Sequence, residues 1–482
     1  MSEQQPFHMV TVGMSPRLVN NLWDRIASRG GFRISHVAHA SFDRNSWGGD
    51  STGGSVYFIR EQISEALPQP DPELLASLEQ EGVPTIHNML MSDRFLCPLP
   101  YEQGLAYATL LVRRLLALYR ETKPSVIVGD FDNLLGSLGF AVAKRLSIPW
   151  CAMYFSPLPS GRVAFCSDLS PASMIKLDAR RAELSADAER VLRDFEARKV
   201  QAYASVPPQL LSASFVFKQL PSQLRTLLQI LGRRRLRQQL KYTDYAGSYS
   251  VAAKFREALR ARRNLWRMHR SGLATAPGRR RYAFFGLHMQ PESSIDVHAH
   301  FFSNQLRVVE LMARSLPPTH TLFVKLHKSD ASNYSPQKLA QLSSFPGVQL
   351  VSPYADAIEF IRHADLVFAI QGTIGLEAAM LGKRVVMFGD SPVKNFPSVS
   401  TIGKVEDLPQ LVREKLAERS PSREEILAGL ATYFEPFHHA SCNDWTVVPS
   451  DAQIDDYVQL FALLERYVRR NENAGRDHRM AS

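Results

Sequence analysis

Cysteine and long apolar runs are both scarce in this chain of 482 residues. Its four cysteines, Cys97, Cys151, Cys166 and Cys442, lie far apart and form no CxxC pair, which argues against a disulfide framework and against a zinc site. No apolar run approaches the roughly 20 residues of a membrane-spanning helix, and residues 1–7 lack the basic start and apolar core of a signal peptide. We therefore expect a cytoplasmic protein.

Acidic residues are scarce in one stretch of the chain. Between Lys218 and Arg281 there are 17 lysines and arginines against two acids, whereas the net charge of the whole chain is only +10. The positive charge thus belongs to a segment. Within it, residues 227–240 and 251–270 mix apolar side chains, Trp266 among them, with arginines, a pattern typical of amphipathic helices.

Three interpretations of this basic stretch are open. Charge alone would suit nucleic acid, but no nucleic-acid-binding motif accompanies it, so no nucleic acid is expected as a partner. Polybasic amphipathic helices attach proteins to anionic lipid, so an anionic membrane surface, the inner membrane, is an expected partner of residues 218–281. The alternative is a solvated or bridging helical insertion.

Strand-like and helix-like segments alternate in two blocks of the chain. In the first block we expect strands at residues 7–13, 32–37, 124–130 and 149–155, with helices at 16–29, 104–122 and 134–146. The second block starts at residue 281 and repeats the alternation, with strands at 282–287, 321–325, 348–351, 366–370 and 384–388. Strand–helix–strand repeats with short links indicate parallel sheets.

The predicted fold class is α/β, with two doubly wound Rossmann-like domains facing a cleft. The predicted domains are residues 1–160, a basic helical insertion at 161–280, a second Rossmann-like domain at 281–440, and a C-terminal helix and tail at 441–482. The helix is expected at residues 451–469, with a frayed end. Ligands of such sheets bind at the carboxyl ends of the strands.

The most informative segment, residues 364–378, predicts a buried strand, a Gly-Thr-Ile-Gly turn and a helix. Amides at a helix amino terminus form an anion site, Gly372 and Gly375 allow close approach, and Thr373 adds a hydroxyl donor. Glu377, expected in the first helical turn, could reach the hydroxyls of a ribose. The alternative is that Thr373 merely caps the helix and Glu377 complements its dipole.

Two further strand ends carry polar side chains. His288, Gln290 and Glu292 follow one strand, and Lys325 and His327 end another. Parallel strands would bring these residues and the Gly372 turn to one rim, where cationic and neutral donors suit a phosphate. A lone histidine is more often structural, so the convergence of three strand ends carries this prediction.

The first block offers candidates for proton transfer. Asp130 and Asp132 follow a buried strand, and either could act as general base towards an acceptor hydroxyl. Asp132 could instead cap the next helix. Their DxD spacing also occurs in metal-dependent transferases of a different fold, and no metal is predicted. His36 and His39, near the end of an early strand, are further candidates.

Four motifs of the second block carry a resemblance to a known family. They are residues 287–294, the Val-Lys-Leu-His run 324–327, residues 372–379 and the strand at 382–389, in that order. Together they resemble capsular and surface polysaccharide biosynthesis proteins, a family that includes Kdo transferases of the GT-B fold. The resemblance implies a Gln-Pro motif, here Gln290-Pro291, paired with a His-Pro motif that contacts the phosphate of a CMP-sugar. Here Lys328 follows His327 in place of proline.

The resemblance implies a glycosyltransferase, with the donor site formed by His288, Gln290, Glu292, Lys325, His327, Gly372, Thr373, Gly375 and Glu377. The expected donor is a nucleotide-sugar, either CMP-Kdo, a related CMP-sugar or a UDP-sugar, because the Gly-Thr-Ile-Gly run is also similar to loops of UDP-sugar enzymes. The expected acceptor is a surface glycan or a lipid-linked glycan. No cofactor is expected. The alternatives are a nucleotide-sugar epimerase or hydrolase, or an inactive scaffold for glycan assembly.

Overall fold

The protein divides into two compact units. The structure, a computed structural model, describes residues 7–14, 22–40, 55–60, 66–93, 96–97, 99–178, 181–200, 259–264, 266–268, 272–440 and 448–481. The first unit comprises residues 1–179, 238–243 and 436–482, and the second comprises residues 180–237 and 244–435. Most of the basic stretch, including the helix expected at 227–240, lies outside the described residues.

The described residues of the first unit, up to residue 178, form six strands and five helices. The strands are β1 (His8–Val12), β2 (Arg33–Ala40), β3 (Val56–Arg60), β4 (Val126–Gly129), β5 (Trp150–Phe155) and β6 (Arg162–Cys166). The helices are α1 (Asp24–Gly30), α2 (Pro72–Ala76), α3 (Ile86–Ser92), α4 (Tyr101–Thr122) and α5 (Leu134–Arg145).

The described residues of the second unit form eight α-helices and six strands. Its helices are α6 (Arg181–Glu196), α7 (Ser293–Asp296), α8 (Gln305–Ser315), α9 (Pro336–Ser344), α10 (Ala357–His363), α11 (Thr373–Met380), α12 (Leu408–Ala417) and α13 (Arg423–Phe434). Its strands are β7 (Tyr282–Gly286), β8 (Thr321–Lys325), β9 (Val348–Val351), β10 (Leu366–Ala369), β11 (Val385–Met387) and β12 (Val399–Thr401). The chain then returns to the first unit with β13 (His438–His439) and α14 (Asp451–Ala481).

Both sheets have a Rossmann-like strand order. The first is β13-β6-β5-β4-β1-β2-β3, parallel from β5 to β3 and antiparallel at β6 and β13. The second is β12-β11-β10-β7-β8-β9 and is parallel throughout. Strand order reverses between β1 and β4 in one sheet and between β7 and β10 in the other. These two places are the switch points, where doubly wound sheets bind ligands.

Residues of each central strand are buried on both faces. All five residues of β1 and of β7 are buried, and so are all four of β4 and of β10. Such continuously buried strands are typical of a parallel sheet covered by helices on both sides. On one face of the first sheet, α14 packs Phe461 against Trp23 and Phe165, with ring centroids 5.0 and 5.6 Å apart. Polar groups that can meet a ligand therefore lie at the strand ends.

The predicted fold class, α/β with two Rossmann-like units, is confirmed, and β8 and β9 have the predicted bounds. Several details of the prediction are wrong. Residues 161–280 begin with a strand, β6, and β3 was not predicted at all. The C-terminal helix α14 continues to Ala481, past the predicted end at residue 469.

Candidate functional site

The switch point of the second sheet lies between the ends of β7 and β10. His288 follows β7, and Gly372 follows β10 with φ 82° and ψ −163°, a conformation open to glycine. A Cβ atom added to Gly372 would lie 3.1 Å from Cε1 of His288, closer than an ordinary contact. Glycine therefore lets the backbone of the turn approach the imidazole across the crevice.

Helix α11 begins at this crevice with its amides uncapped by any side chain. Gly372 is the N-cap residue and has no side chain to accept a hydrogen bond from the first turn. Thr373 is the first helical residue, so the alternative that Thr373 caps the helix is wrong. The helix has eight residues, and its first amides with the dipole behind them can receive an anion.

Two residues of α11 differ from their predicted roles. A Cβ added to Gly375 would lie 2.7 Å from Sδ of Met387, so Gly375 faces the sheet and allows close packing of the helix, not contact with a ligand. Glu377 is the fifth residue of the helix and lies in its second turn, not its first. The alternative in which Glu377 complements the helix dipole is therefore weakened, because that effect is confined to the first turn.

Lys325 is the last residue of β8 and is largely enclosed. Its Nζ donates to the carbonyl oxygen of Pro353 at 3.0 Å. Burial lowers the pKa of Lys325 to about 8, assisted by the charge of Lys328 and opposed by Asp356 and Glu377. Lys325 therefore supplies a positive charge at neutral pH that is lost under mildly alkaline conditions.

His327 is held in one neutral form. The backbone amide of Ser329 donates to its Nδ1 at 3.3 Å, so the proton of the neutral ring lies on Nε2. Burial lowers the pKa of His327, and the positive charges of Lys325 and Lys328 add to this effect while Glu292 opposes it. The backbone amide of His327 donates to the hydroxyl of Tyr334 at 2.8 Å, which fixes the residue in place. His327 thus offers an Nε2–H donor at neutral pH.

The lysine that replaces proline after His327 is compatible with the local structure. Lys328 is the first residue of a 3-10 helix, Lys328–Asn333, with His327 as its N-cap. Proline is favoured at the first helical position because its ring presets φ and its missing amide is not needed there. A lysine keeps that turn and adds a positive charge near Lys325 and His327.

Glu292 lies beside both histidines of the rim. Its Oε2 is 3.9 Å from Nδ1 of His288. Burial opposes ionisation of Glu292, but His288 and Ser294 lower its pKa, with a further contribution from His327. An ionised Glu292 repels a phosphate, so a bound phosphate is favoured towards Gly372 and Thr373.

Gln290 is engaged within the protein. Its Nε2 donates to Oδ1 of Asp296 and to the carbonyl oxygen of Ser303, both at 2.9 Å, and its Oε1 accepts from Nε2 of Gln305 at 2.9 Å. Oε1 of Gln305 in turn accepts from the backbone amide of His288 at 2.7 Å. Both amide protons of Gln290 are used, so it shapes the loop that carries His288 and is not itself free for a donor contact, contrary to its predicted role.

Asp356 is a site residue that sequence analysis missed. It is the N-cap of α10, its Oδ1 accepts from the amide of Ile358 at 3.0 Å, and its Oδ2 is paired with Arg198. Burial raises the pKa of Glu377 to about 7, with a further rise from Asp356 and a partial reduction from Lys325. The signal was available in the sequence, because Asp356 follows the end of a fourth strand of the same sheet.

Asp130 lies at the switch point of the first sheet and is engaged there. Its Oδ1 accepts from the amide of Asp132 at 2.9 Å, and its Oδ2 accepts from Nδ2 of Asn133, also at 2.9 Å. Asn133, and not Asp132, caps α5, since its side chain accepts from the amide of Gly136. Asp132 is exposed at the start of that turn and is the better candidate for an accessible base.

His36 cannot act on a substrate from its position. It is the fourth residue of β2, which continues to Ala40, and only 2% of it is exposed. Its Nδ1 lies 2.7 Å from Oγ1 of Thr11 and its Nε2 lies 3.7 Å from Oδ1 of Asp24. His36 is therefore a structural histidine, and its predicted catalytic role is wrong. His39 belongs to the same strand, and its side chain lies outside the described residues.

The described residues contain neither a candidate metal site nor a candidate membrane span. No group of three or more His, Cys, Asp or Glu side chains in those parts of the chain could hold a metal ion. Within the same residues, no helix is both long enough and apolar enough to cross a membrane.

The protein is of the α/β class, with two Rossmann-like units and, at the switch point of the second, an uncapped helix start beside His288. Residues 198–410 match the model of a family described as capsule polysaccharide biosynthesis protein. The resemblance inferred from the four motifs is therefore confirmed for that part of the chain. No curated protein matches the sequence.

Solved structures with similar folds include two enzyme classes. The KpsC β-Kdo 2,4-transferase of Thermosulfurimonas dismutans is 12% identical, with 93% of this chain and 97% of that chain covered and a TM-score of 0.41. The β-Kdo 2,7-transferase of the same KpsC is 12% identical, covering 72% and 89%, with a TM-score of 0.33. The UDP-GlcNAc 2-epimerase of Neisseria meningitidis is 12% identical, covering 96% and 100%, with a TM-score of 0.28. Likenesses this distant do not identify a reaction.

Proposed function

We propose that the protein is a glycosyltransferase that moves a sugar from a nucleotide-sugar, either a CMP-sugar such as CMP-Kdo or a UDP-sugar, to a surface glycan or lipid-linked acceptor. The observation that carries the proposal is the switch point of the second sheet. There an uncapped helix amino terminus faces the imidazole of His288, with the ammonium of Lys325 at the end of the next strand.

The chemistry supplied by this rim is electrostatic. When the bond between sugar and phosphate breaks, negative charge grows on the nucleotide phosphate that leaves. The amides of Gly372 and Thr373, the Nε2–H of His327 and the ammonium of Lys325 are donors of the kind that stabilises such charge. No metal ion is needed in this scheme, because the departing charge is met by the protein's own donors.

The acceptor hydroxyl has to lose a proton as it attacks. We assign the role of general base, which accepts this proton, to Asp132. Its carboxylate is exposed after β4, whereas the carboxylate oxygens of Asp130 accept hydrogen bonds within the turn. The proton passes from the hydroxyl to Asp132 as the new glycosidic bond forms and the nucleotide leaves.

Nucleotide titration and acceptor-dependent turnover test the proposal together. Calorimetry with CMP, UDP and other nucleotides should show binding to the full-length protein, with affinity reduced in a Thr373→Ala and His327→Ala double variant. Unchanged nucleotide affinity in that variant would refute the proposed donor site. Free CMP or UDP should then be released from the matching nucleotide-sugar only when a glycan acceptor is present. Release without acceptor would indicate a hydrolase or epimerase, and binding without any release would indicate a scaffold.

Residues 259–264 and 266–268, in the C-terminal half of the basic stretch, support contact with a membrane. Trp266 is 59% exposed and Leu259 is 53% exposed, and arginines 260, 262 and 263 lie between them in the sequence. Exposed apolar side chains among arginines are typical of a surface that enters the headgroup region of an anionic bilayer. We propose that this stretch holds the enzyme on the cytoplasmic face of the inner membrane. Cosedimentation with anionic vesicles should be lost when Arg233, Arg234, Arg235 and Arg237 are neutralised, and persistence of binding would refute the assignment.

A further inference from the structure

A groove of about 640 Å³ lies at the edge of the second sheet, two strands away from β7. This volume is within the roughly 300–1,000 Å³ that is usual for ligand pockets. Trp266 and Arg267 of the basic stretch form one wall, and Leu350 of the edge strand β9 is buried at the bottom. A second wall is one face of α9, with Pro336, Leu339, Ala340 and Ser343. All of these residues belong to the second unit, so the groove is complete within it.

The helical residues around Trp266 are anchored to the second unit by one face. Met268 is part of the core of that unit, and Ala261 packs against the same core. These two positions are seven residues apart and share one side of the helix, whereas Trp266 and Leu259, also seven apart, lie on the opposite side. Trp266 is 59% exposed and Leu259 is 53% exposed. The segment is therefore fixed in place with an apolar edge open to solvent beside the groove.

Cationic side chains lie around this groove. Arg267 lines it, and arginines 262 and 263 are exposed on the outward side of the same helical segment. On α9, Nζ of Lys338 is 5.3 Å from the ring centroid of Tyr334, which is also a lining residue. No acidic side chain is among the described residues that line the groove. The groove thus combines apolar walls with positive charge, which is complementary to an amphiphile with an anionic head.

Tyr334 separates the groove from the donor site. Its ring lines the groove, and its hydroxyl accepts from the backbone amide of His327 at 2.8 Å. The residue is buried, so it forms a partition between the two places. We therefore expect a nucleotide and a ligand of the groove to bind at the same time.

Resting on the proposed function and its membrane contact, we infer that the groove binds one acyl chain of an anionic phospholipid of the bilayer, with the lipid phosphate beside Arg267 and Lys338. A soluble anion would match the cations and leave the apolar walls in water, and a neutral chain would do the reverse. Attraction of arginines to headgroups depends on surface charge alone, whereas a chain in the groove forms a saturable site for one lipid. The groove converts general attraction to the membrane into binding of a defined ligand.

Calorimetry with soluble single-chain probes tests the groove in the full-length protein. Butyl, hexyl and octyl phosphate, each below its critical micelle concentration, should bind with an affinity that rises about fourfold per methylene, the usual contribution of a buried CH₂ group. Octyl phosphocholine should bind more weakly than octyl phosphate, because its head carries no net charge. Saturating CMP or UDP should displace neither probe.

A matched pair of tryptophan substitutions on α9 locates the probe. Ala340→Trp fills the groove and should weaken octyl phosphate binding by about tenfold or more, since at least two methylenes lose their contacts. Gln341→Trp places the same side chain at an exposed position of α9 that does not line the groove, and should keep the wild-type affinity. Equal melting temperatures would verify that both variants fold.

Vesicles distinguish a lipid of the bilayer from a free amphiphile. With vesicles of phosphatidylcholine and phosphatidylglycerol, a smaller fraction of Ala340→Trp than of Gln341→Trp should cosediment. The variant with Arg233, Arg234, Arg235 and Arg237 neutralised should lose vesicle binding and still bind octyl phosphate, because those arginines act on surface charge and do not form the groove.

Four results would overturn the inference. They are an affinity that does not depend on chain length, equal octyl phosphate affinity in Ala340→Trp and wild type, displacement of the probe by nucleotide, and equal vesicle binding of the two tryptophan variants. A dimer in light scattering that Ala340→Trp abolishes would assign the groove to a second copy of the chain instead. Failure of the proposed function looks different. A protein that binds octyl phosphate in the groove and transfers no sugar refutes the transferase proposal alone.

Discussion

The two switch points of this protein have the same backbone construction and different polar contents. In each sheet a glycine with positive φ follows a central strand, Gly13 at 85° and Gly372 at 82°. In each case an added Cβ would lie 3.1 Å from the residue across the crevice, Asp130 in the first unit and His288 in the second. The first crevice holds a carboxylate engaged by an amide and an asparagine, whereas the second holds an imidazole and the uncapped start of a helix.

This difference shows what separates a ligand site from a structural turn. Both places have polar residues after a buried strand, which is all that a sequence pattern reports. At Asp130 both carboxylate oxygens accept hydrogen bonds from within the turn, so the carboxylate stabilises the turn that precedes α5. At Gly372 the donors face a crevice and the N-cap adds no acceptor. We therefore expect an anion at the second switch point and none at the first.

The largest expected difference between the units concerns turnover. Asp132→Asn in the first unit should lower the rate of acceptor-dependent nucleotide release by about 10²- to 10⁴-fold, the usual contribution of a general base, with donor affinity unchanged. Steady-state kinetics and calorimetry on the same variant check this. Asp130→Asn serves as the control, because it should lower the melting temperature through the turn that it holds. Full turnover in Asp132→Asn would refute the assignment of Asp132 as the general base.

The matched glycines give the next largest effect. Gly13→Ala and Gly372→Ala place an alanine at positive φ against a close neighbour, and each should cost about 1–3 kcal/mol of unfolding free energy. Only Gly372→Ala should also weaken nucleotide binding, by about 10- to 100-fold for a displacement of the helix start worth 1.4–2.8 kcal/mol. Chemical denaturation and calorimetry separate the two quantities. Equal losses of nucleotide affinity in both variants would contradict the contrast between the crevices.

The pH dependence of nucleotide affinity is expected to be bell-shaped, because two groups of the second unit titrate near neutrality. Glu377, the predicted ribose contact, has its pKa raised to about 7 and would accept hydroxyls better when ionised, so affinity should rise as the pH passes 7. Lys325, with its pKa lowered to about 8, loses its charge above that pH, so affinity should then fall. Calorimetry from pH 6 to 9 measures both limbs. Glu377→Gln should flatten the rising limb and Lys325→Met the falling one, and unaltered profiles would exclude these groups.

Helix caps provide the smallest and most local comparison. Ser422 and Glu425 form a capping box at α13 in the second unit, whereas Thr85 caps α3 in the first unit with one hydrogen bond. Replacing Ser422 or Thr85 by alanine should each lower the unfolding free energy by about 1 kcal/mol. A saturating nucleotide should raise the melting temperature of the second unit, and so offset Ser422→Ala more than Thr85→Ala. Equal offsets in thermal melts would show that nucleotide binding does not distinguish the units.

Sequence patterns predicted the parts of the fold and site that depend on local chemistry. Strands β8 and β9 were predicted with their observed bounds, because apolar runs there are bracketed by proline, glycine and polar residues. The turn at Gly372 was predicted because a strand, two glycines and a helix follow one another directly. Its placement beside His288 is a consequence of the parallel order β10-β7-β8.

The parts that could not be predicted depend on partners distant in the sequence. Gln290 looked like a ligand contact, yet its hydrogen bonds to Asp296, Ser303 and Gln305 use its donors and its acceptor. His36 looked accessible because its strand was expected to end at residue 37, whereas β2 runs to Ala40 and buries it. Strand pairing and side-chain partnership of this kind are set by tertiary packing, which a single sequence does not display.

The return of the chain to the first unit has a consequence for protein synthesis. The core on one face of the first sheet includes Ile454, Tyr457, Phe461 and Leu464 of α14 together with Trp23, and β13 pairs with β6. A ribosome delivers these residues after the described strands β7 to β12 of the second sheet. The second unit can therefore complete its sheet while the nascent first unit still exposes an apolar face. Apolar surface exposed in this way during translation is the kind that aggregates or is bound by chaperones.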